Sequence, residues 1–163
     1  MLSQVLSYAA VASLIFFAIG LRNVENYKDP FVFVGLLMSC GILFGIIVFK
    51  IISHFYPLAK TYKNKKGIRI IFPLTFSFAF IFFGLGRVLN EYSDLNSSCQ
   101  NYQIQEMLKS GRRSRTHYII INTPQGNEKL DFGSSFYNQH QVGDSLGLCL
   151  VKGKLSFEYY RPK

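Results

Sequence analysis

Two cysteines and two histidines in the C-terminal half of the chain are the residues most suggestive of a chemical site: Cys99, His117, His140 and Cys149. Thiolates and imidazoles are the usual ligands of structural zinc, but such sites normally contain a close ligand pair such as C-x-x-C. The sequence has no such pair, so we predict no metal site. Cys99 and Cys149 are instead candidates for a disulfide bond, which small extracytoplasmic domains often need. Two unpaired thiols are the alternative.

The patterns by which common catalytic sites are recognised are also missing. The sequence contains no G-x-S-x-G nucleophile motif and no glycine-rich phosphate-binding loop. Many serines occur, but none is marked out as a nucleophile by its neighbours. We therefore predict no catalytic residue, no cofactor and no enzyme activity.

Positive charge is concentrated in one short region. The 163 residues carry a net charge of +9, and two thirds of that excess lies between residues 50 and 69. A nucleic-acid-binding domain more often spreads basic residues over a folded face with polar or aromatic side chains between them. We therefore predict no nucleic-acid binding. The basic residues of this region are Lys50, Lys60, Lys63, Lys65, Lys66 and Arg69.

Three long apolar runs surround this basic region. They predict transmembrane helices at about residues 2–21, 31–53 and 69–89, joined by a basic loop at 54–68, so that residues 1–89 form a transmembrane domain. About 20 apolar residues cross a hydrocarbon core. None of the runs has the polar face that a helix of a soluble bundle needs. The first run also fits a cleavable signal peptide, although it lacks the usual basic start.

The basic loop predicts the orientation, because short loops rich in Lys and Arg stay in the cytoplasm. We expect a cytoplasmic N-terminus and an extracytoplasmic C-terminal domain in a bacterial inner (plasma) membrane. Setting the orientation is the simplest role for this loop, and binding of anionic lipid head groups is the main functional alternative.

The second predicted helix contains two pairs of small residues spaced four apart, Gly35 with Ser39 and Gly41 with Gly45. Small residues four apart let helix backbones approach closely. We expect them to pack against another helix of the same chain, with a dimer contact as the alternative. No ionisable residue lies in the middle of a predicted span, which argues against a pump or transporter.

The remaining residues have the pattern of a small soluble domain. Residues 90–98 predict a linker and residues 99–163 a β domain. Strands are predicted at 102–108, 116–122, 128–132, 145–151 and 155–160, with a loop at 133–144 that contains at most one helical turn. The predicted fold class is thus α+β: three transmembrane helices followed by an antiparallel sheet or barrel of about five strands. The segment VGDSLGLCLVKGKLSFEYY resembles small β domains appended to bacterial membrane proteins.

Two groups of residues are candidates for an interaction surface. Arg112, Arg113 and Arg115 lie at a predicted hairpin tip, where they would be exposed. Tyr159 and Tyr160 are adjacent in a predicted strand, so one of them is expected to face outward beside Arg161. An exposed tyrosine next to an arginine is typical of interaction surfaces.

The sequence therefore predicts an integral membrane protein that presents a β-rich binding module outside the cytoplasm. We expect it to act as an accessory or immunity-type protein, with the lipid bilayer and a protein as its partners. The alternative is an oligomeric pore-forming or membrane-perturbing effector with the β domain as sensor or gate. Homo-oligomerisation is expected for the alternative and left open for the first interpretation.

Overall fold

The computed structural model describes residues 2–61, 69–92, 95–110 and 116–163. The chain divides into two compact units. The helical unit contains Met1–Arg22 and Phe31–Val88, and the β unit contains Asn23–Pro30 and Leu89–Lys163. The β unit is therefore discontinuous in sequence, because it includes the short segment between the first two long helices.

The helical unit is built from α1 (Leu2–Leu21), α2 (Pro30–Phe55), α3 (Leu58–Thr61) and most of α4 (Ile71–Glu91). Pro30 occupies the first helical position of α2, where its missing N–H costs nothing and its fixed φ favours the helix. A second proline, Pro57, follows directly after Tyr56. Since a residue before proline is disfavoured in the α region, α2 ends at Phe55.

Two helices among the described residues are long and apolar enough to cross a membrane. They are α2, with a mean hydropathy of 2.7, and α4, with a mean hydropathy of 1.7. The prediction of three spanning helices is corrected to two. In the part of α1 whose side chains the structure describes, the apolar helix is Ala10–Leu21, which is shorter than either of these two helices.

Close backbone contacts hold α4 against its two neighbours. A Cβ atom added at Gly41 of α2 would lie 2.6 Å from the Ala79 Cα atom, and one at Gly45 would lie 2.8 Å from the Thr75 Cα atom. On the other side, Gly84 of α4 approaches the backbone of Phe16 in α1. The glycines thus form the contact surfaces of the three helices, because the absence of a side chain lets the backbones approach closely.

The other two small residues of the α2 pattern lie elsewhere. Gly35 has no atom within 4 Å of the position where its Cβ would be, and Ser39 is exposed. Between these glycine contacts, Phe33 and Phe83 are both fully buried, with ring centroids 6.1 Å apart. The α2–α4 contact therefore involves Gly41 and Gly45, but not the pair Gly35 and Ser39.

The β unit contains a five-stranded antiparallel sheet in the order β3-β2-β1-β4-β5. Its strands are β1 (Asn96–Ser110), β2 (Thr116–Thr123), β3 (Gly126–Leu130), β4 (Ser145–Lys152) and β5 (Glu158–Pro162), with α5 (Ser134–Asn138) between β3 and β4. The prediction of a small antiparallel β domain of about five strands is confirmed. β1 begins inside the stretch predicted as a linker, and β5 starts three residues later than predicted.

β1 curls the sheet because its two halves pair with different strands. Residues 96–103 pair with β4, and the strand from Ile104 onward pairs with β2. A register shift between Ile104 and Glu106 separates the two ladders. A bulge of this kind bends a strand and increases its twist, so the five strands form a half-barrel rather than a flat sheet.

The concave side of the half-barrel holds the core of the β unit. Its residues alternate along each strand, as Ile119 and Ile121 do in β2. Phe136 and Tyr137 of α5 pack against this cluster. The buried members are Ile104, Ile119, Ile121, Leu130, Leu146, Leu148 and Tyr160.

The glycine contacts predict a difference between two otherwise identical substitutions in α2. Gly41→Ala should lower the melting temperature in detergent, because its methyl group would overlap the α4 backbone and overpacking costs about 1–3 kcal/mol. Gly35→Ala is the matched control and should raise the melting temperature slightly, since alanine is favoured over glycine in a helix by about 1 kcal/mol. Thermal unfolding monitored by circular dichroism measures both. Equal shifts for the two variants would contradict the helix contacts described above.

Candidate functional site

The two cysteines of the β unit form a disulfide bond. Cys99 of β1 and Cys149 of β4 are directly paired across the strands, with an S–S distance of 2.02 Å. The bond closes a loop with a sequence separation of 50 residues. Closing a long loop restricts the unfolded chain, so this bond should stabilise a domain with a thin core. Cys40 in α2 is an exposed free cysteine.

Both tyrosines predicted for an interaction surface are buried. Tyr159 is 6% exposed and Tyr160 is 4% exposed, so the prediction that one of them faces outward is wrong. Tyr160 points into the core, where its ring lies perpendicular to that of Tyr102 at 6.2 Å. Tyr159 faces the other way but is covered by Tyr27, whose ring centroid is 5.6 Å away. The segment between α1 and α2 thus covers a face that the sequence pattern left open.

That segment, residues 23–30, links the two edge strands of the half-barrel. At the β5 edge, the Lys28 backbone N–H donates to the Glu158 carbonyl at 3.0 Å, and their side chains form an ion pair at 3.1 Å. At the end of β3, the Asn26 amide makes two hydrogen bonds to the backbone of Asp131, donating to its carbonyl at 2.8 Å and accepting from its N–H at 2.7 Å. We call residues 23–30 the closing segment.

Asn26 was not identified from the sequence. Its partner lies 105 residues away, and no local pattern signals such a pairing. The Asn26 side chain both donates to and accepts from the backbone of one residue, as a residue of a neighbouring β-strand would. The gap between β5 and β3 is therefore bridged by side-chain and backbone bonds of the closing segment.

Asn90, in the last turn of α4, organises the hairpin between β4 and β5. Its side chain is fully buried; Nδ2 donates to the Phe157 carbonyl at 3.1 Å, and Oδ1 accepts from the Leu155 N–H at 3.0 Å. Its carbonyl accepts from the Lys154 N–H at 3.1 Å. A side chain at Gly153 would collide with Asn90, so glycine permits this close approach. These bonds explain why β5 begins only at Glu158.

The convex side of the half-barrel carries a small amphipathic surface on β1, β2 and β3. The Lys129 ammonium lies 3.6 Å from the centroid of the Tyr118 ring, within cation–π range. Leu108 is opposite Tyr118, Ile120 is opposite Lys129, and Leu108 is 37% exposed. We call Leu108, Tyr118, Ile120 and Lys129 the convex patch. It combines aromatic, apolar and cationic groups, which is the composition enriched at interfaces.

The predicted arginine cluster follows β1 directly in the chain. Arg112, Arg113 and Arg115 lie outside the described residues, so their placement stays a prediction. β1 ends at Ser110 and β2 begins at Thr116, and the connecting residues contain three arginines and no acid. Arg161, the last of the predicted surface residues, is exposed near the end of β5.

The two histidines of the β unit contact aromatic side chains. The His117 ring lies 5.0 Å from that of Tyr137, and His140 stacks on Phe136 at 4.4 Å. One ring nitrogen of His140, Nδ1, is 2.8 Å from the Phe136 carbonyl. Within the described ranges no three His, Cys, Asp or Glu side chains are grouped as metal ligands. Both histidine rings thus pack against aromatic side chains of α5.

A second group of residues from the sequence analysis surrounds a cavity of about 430 Å³ in the helical unit. Its polar lining consists of Lys50, Ser53 and His54 from the end of α2, and Arg69 just before α4. Lys50 and Arg69 are both exposed. Of the remaining predicted basic residues, Lys60 follows in α3, while Lys63, Lys65 and Lys66 lie outside the described part of the chain.

One carboxylate faces the core of the β unit. Glu128 of β3 is opposite the buried Ile121. Burial raises the pKa of the Glu128 carboxyl above its ordinary value, and the negative charge of Asp29 raises it further, while Lys28 opposes the shift. Burial also raises the pKa of Tyr160 to about 12, with the Glu128 charge as the next largest cause. The closing segment therefore places charges of both signs beside this carboxylate.

The raised pKa of Glu128 predicts how stability depends on pH. Since the folded state holds this proton more tightly than the unfolded state, the contribution of Glu128 to stability is present below its ordinary pKa and is lost as the pH rises through the raised value. Glu128→Gln should therefore raise the melting temperature at pH 7 relative to the wild type, and the difference should shrink toward pH 4. Glu106→Gln, an exposed control on β1, should change little at either pH. A pH-independent effect of Glu128→Gln would exclude this explanation.

Comparison of the chain with protein families, curated proteins and solved structures finds no match. The closing segment, the convex patch and the basic cavity of the helical unit are thus the features on which a functional interpretation rests.

Proposed function

We propose that the chain is a membrane-anchored binding protein. In this proposal α2 and α4 cross a bacterial inner membrane, the β unit lies on its extracytoplasmic side, and the convex patch binds an acidic segment of a protein partner. The protein would act as an accessory or immunity-type component, without chemistry of its own.

The observation that carries the proposal is that the closing segment belongs to the β unit, although it lies between α1 and α2 in the sequence. α2 starts at Pro30, directly after this segment, and α4 ends at Glu91 within the same unit. Two consecutive spans bring the chain back to the side on which it started. A loop and a C-terminal domain that fold together must share a compartment, so their hydrogen bonds favour α2 and α4 as a pair of antiparallel spans.

The charges favour one direction for this pair. The C-terminal part of α2 and the connection from α2 to α4 contain the basic residues from Lys50 to Arg69. The positive-inside rule assigns such a connection to the cytoplasm. The Cys99–Cys149 disulfide supports an oxidising compartment for the β unit. These two arguments are independent, since one concerns the basic loop and the other the sheet.

The connectivity of the half-barrel supports the choice of the convex patch. A long bent β1 shared by β2 and β4, with a helix between β3 and β4, is the connectivity of OB-fold barrels. In such barrels the β2–β3 face and the loop between β1 and β2 bind ligands, which are typically oligonucleotides and oligosaccharides, so the connectivity supports the location of the surface and not the class of its ligand. Here that face holds Tyr118 and Lys129, and that loop contains three arginines. Because Lys129 lies beside apolar groups and the sequence of the loop is basic, an acidic protein segment is the complementary ligand.

Single cysteines introduced into a Cys40→Ala background test the arrangement in the membrane. Asp29→Cys and Gln125→Cys, one in the closing segment and one in the exposed β2–β3 turn, should both react with a membrane-impermeant maleimide in intact cells. Tyr56→Cys, an exposed residue at the basic end of α2, should react only after lysis. Opposite labelling of Asp29→Cys and Gln125→Cys would overturn the proposal.

Photo-crosslinking from the convex patch tests the binding function. A photo-reactive residue at Leu108 should yield one defined adduct in intact cells, whereas the same residue at Gln103, an exposed position on the same strand, should not. Lys129→Glu should reduce the Leu108 adduct by about fivefold or more, because reversing this charge repels an acidic partner. Equal adducts from both positions would contradict a specific surface. Depolarisation of cells on overproduction, without any adduct, would favour the pore-forming alternative.

A further inference from the structure

The cavity of the helical unit lies near the C-terminal end of α2. Lys50, Ser53 and His54 lie within the last two turns of α2, and Arg69 and Ile71 lie at the start of α4. From these residues we infer that the cavity is a binding site for an anionic phosphate group.

The first argument is the charge of the helical unit. Its two segments contain eight basic residues and no aspartate or glutamate, whereas the β unit contains ten basic and nine acidic residues. The ion pair described in the structure, between Lys28 and Glu158, belongs to the β unit. Lys50 and Arg69 thus have no carboxylate within their own unit, so any anion that pairs with them comes from outside it.

The second argument is a buried hydroxyl group. Ser53 is 3% exposed, and its Oγ has no hydrogen-bond partner among the described residues. Two other helical hydroxyls in this unit donate to a backbone carbonyl of the preceding turn. Ser13 donates to Ala10 at 2.8 Å, and Thr75 donates to Ile71 at 2.9 Å. Ser53 lines the cavity without such a bond, so its hydroxyl is available to donate to a ligand oxygen.

The third argument is the match between these donors and phosphate. An ammonium, a guanidinium, an imidazole and a hydroxyl line the same cavity. All four can donate hydrogen bonds, and only the hydroxyl and the imidazole can also accept one. A phosphate group offers several acceptor oxygens and negative charge to such a set of donors. The positive end of the α4 dipole adds to this potential, because Ile71 is the first residue of that helix.

The size of the cavity fits a head group rather than a single water molecule. Its volume of about 430 Å³ is within the range of small-molecule sites. Phe49, Ala59 and Ile71 supply an apolar wall. The phosphate could belong to a membrane lipid, whose glyceryl part would lie against that wall, or to a soluble phosphate compound, and the two sources need separate probes.

Binding is measured with the purified full chain in a neutral detergent. Native mass spectrometry with dioleoyl phosphatidylglycerol tests the lipid source, with phosphatidylcholine as the zwitterionic comparison. Isothermal titration calorimetry with inorganic phosphate and glycerol phosphate tests the soluble source. Saturable binding of phosphatidylglycerol alone identifies a lipid site, whereas saturable binding of either soluble probe identifies a site for free phosphate compounds.

Matched substitutions connect the binding to the cavity. Ser53→Ala should weaken binding about fivefold, and Lys50→Gln and Arg69→Gln should each weaken it about tenfold or more, because bonds from charged donors are the stronger ones. Ser39→Ala, an exposed serine of the same helix, and Arg22→Gln, an exposed arginine of the same unit, should leave it unchanged. Arg22 follows α1, whose last turns lie beside Gly84 and Arg87, roughly 20 Å along α4 from Ile71.

Two results would overturn the inference. One is the absence of saturable binding of every phosphate probe by the wild type. The other is an equal loss of binding in Arg22→Gln and the cavity variants, which would indicate attraction to the overall charge of the helical unit. Melting temperatures of all variants show whether a loss reflects misfolding; Ser53→Ala removes one atom and keeps the helix, so it remains informative if a charge variant unfolds.

Discussion

The hydrogen bonds between Asn26 and the Asp131 backbone are the constraint on which the rest of the β unit depends. A half-barrel of five strands has two open edges, and unpaired edge strands are exposed templates for aggregation. Here the closing segment bonds to β5 through Lys28 and to the end of β3 through Asn26. This arrangement ties the edges of one unit to the short connection between two helices. It also explains the burial of Tyr159, which faces away from the core and is covered by Tyr27.

Much of this fold was predictable because its signals are local. The apolar runs predicted α2 and α4, the period of two in residues such as Ile119 and Ile121 predicted strands, and the turn residues predicted the breaks between them. The disulfide was predictable from the cysteine count and the compartment expected from the basic loop. The length of β1 was not predictable, because Asn96, Ser97 and Ser98 are polar residues typical of loops. They belong to a strand here because residues of β4 pair with them.

The closing segment and Asn90 were beyond sequence reasoning for a related reason. Asparagine is common in loops, and its side chain signals a turn far more often than a partner across the fold. Both residues act through bonds over 60 or more positions in the chain. The burial of both tyrosines in β5 follows from the same cause. Alternation along a strand assigns opposite faces correctly, but it does not tell whether a distant segment covers the second face.

The two units differ in how their charges are balanced. The β unit has nearly equal numbers of acids and bases and neutralises some of them internally, as Lys28 and Glu158 do. The helical unit has bases only. Its surroundings, rather than its own side chains, must therefore provide the counter-charge, and this requirement connects the orientation of the protein with the chemistry of the cavity at the basic end of α2.

The discontinuity of the β unit has a consequence for biogenesis. Residues 23–30 leave the ribosome long before the strands that they join, and β5 follows the other four strands in the chain. The edges can therefore be bridged only after both α2 and α4 have been synthesised. Under the proposed topology, bridging them also requires both helices to be inserted in the membrane. A fragment that starts after α4 would carry all five strands but lack Asn26, Tyr27 and Lys28, leaving both edges unpaired and Tyr159 uncovered.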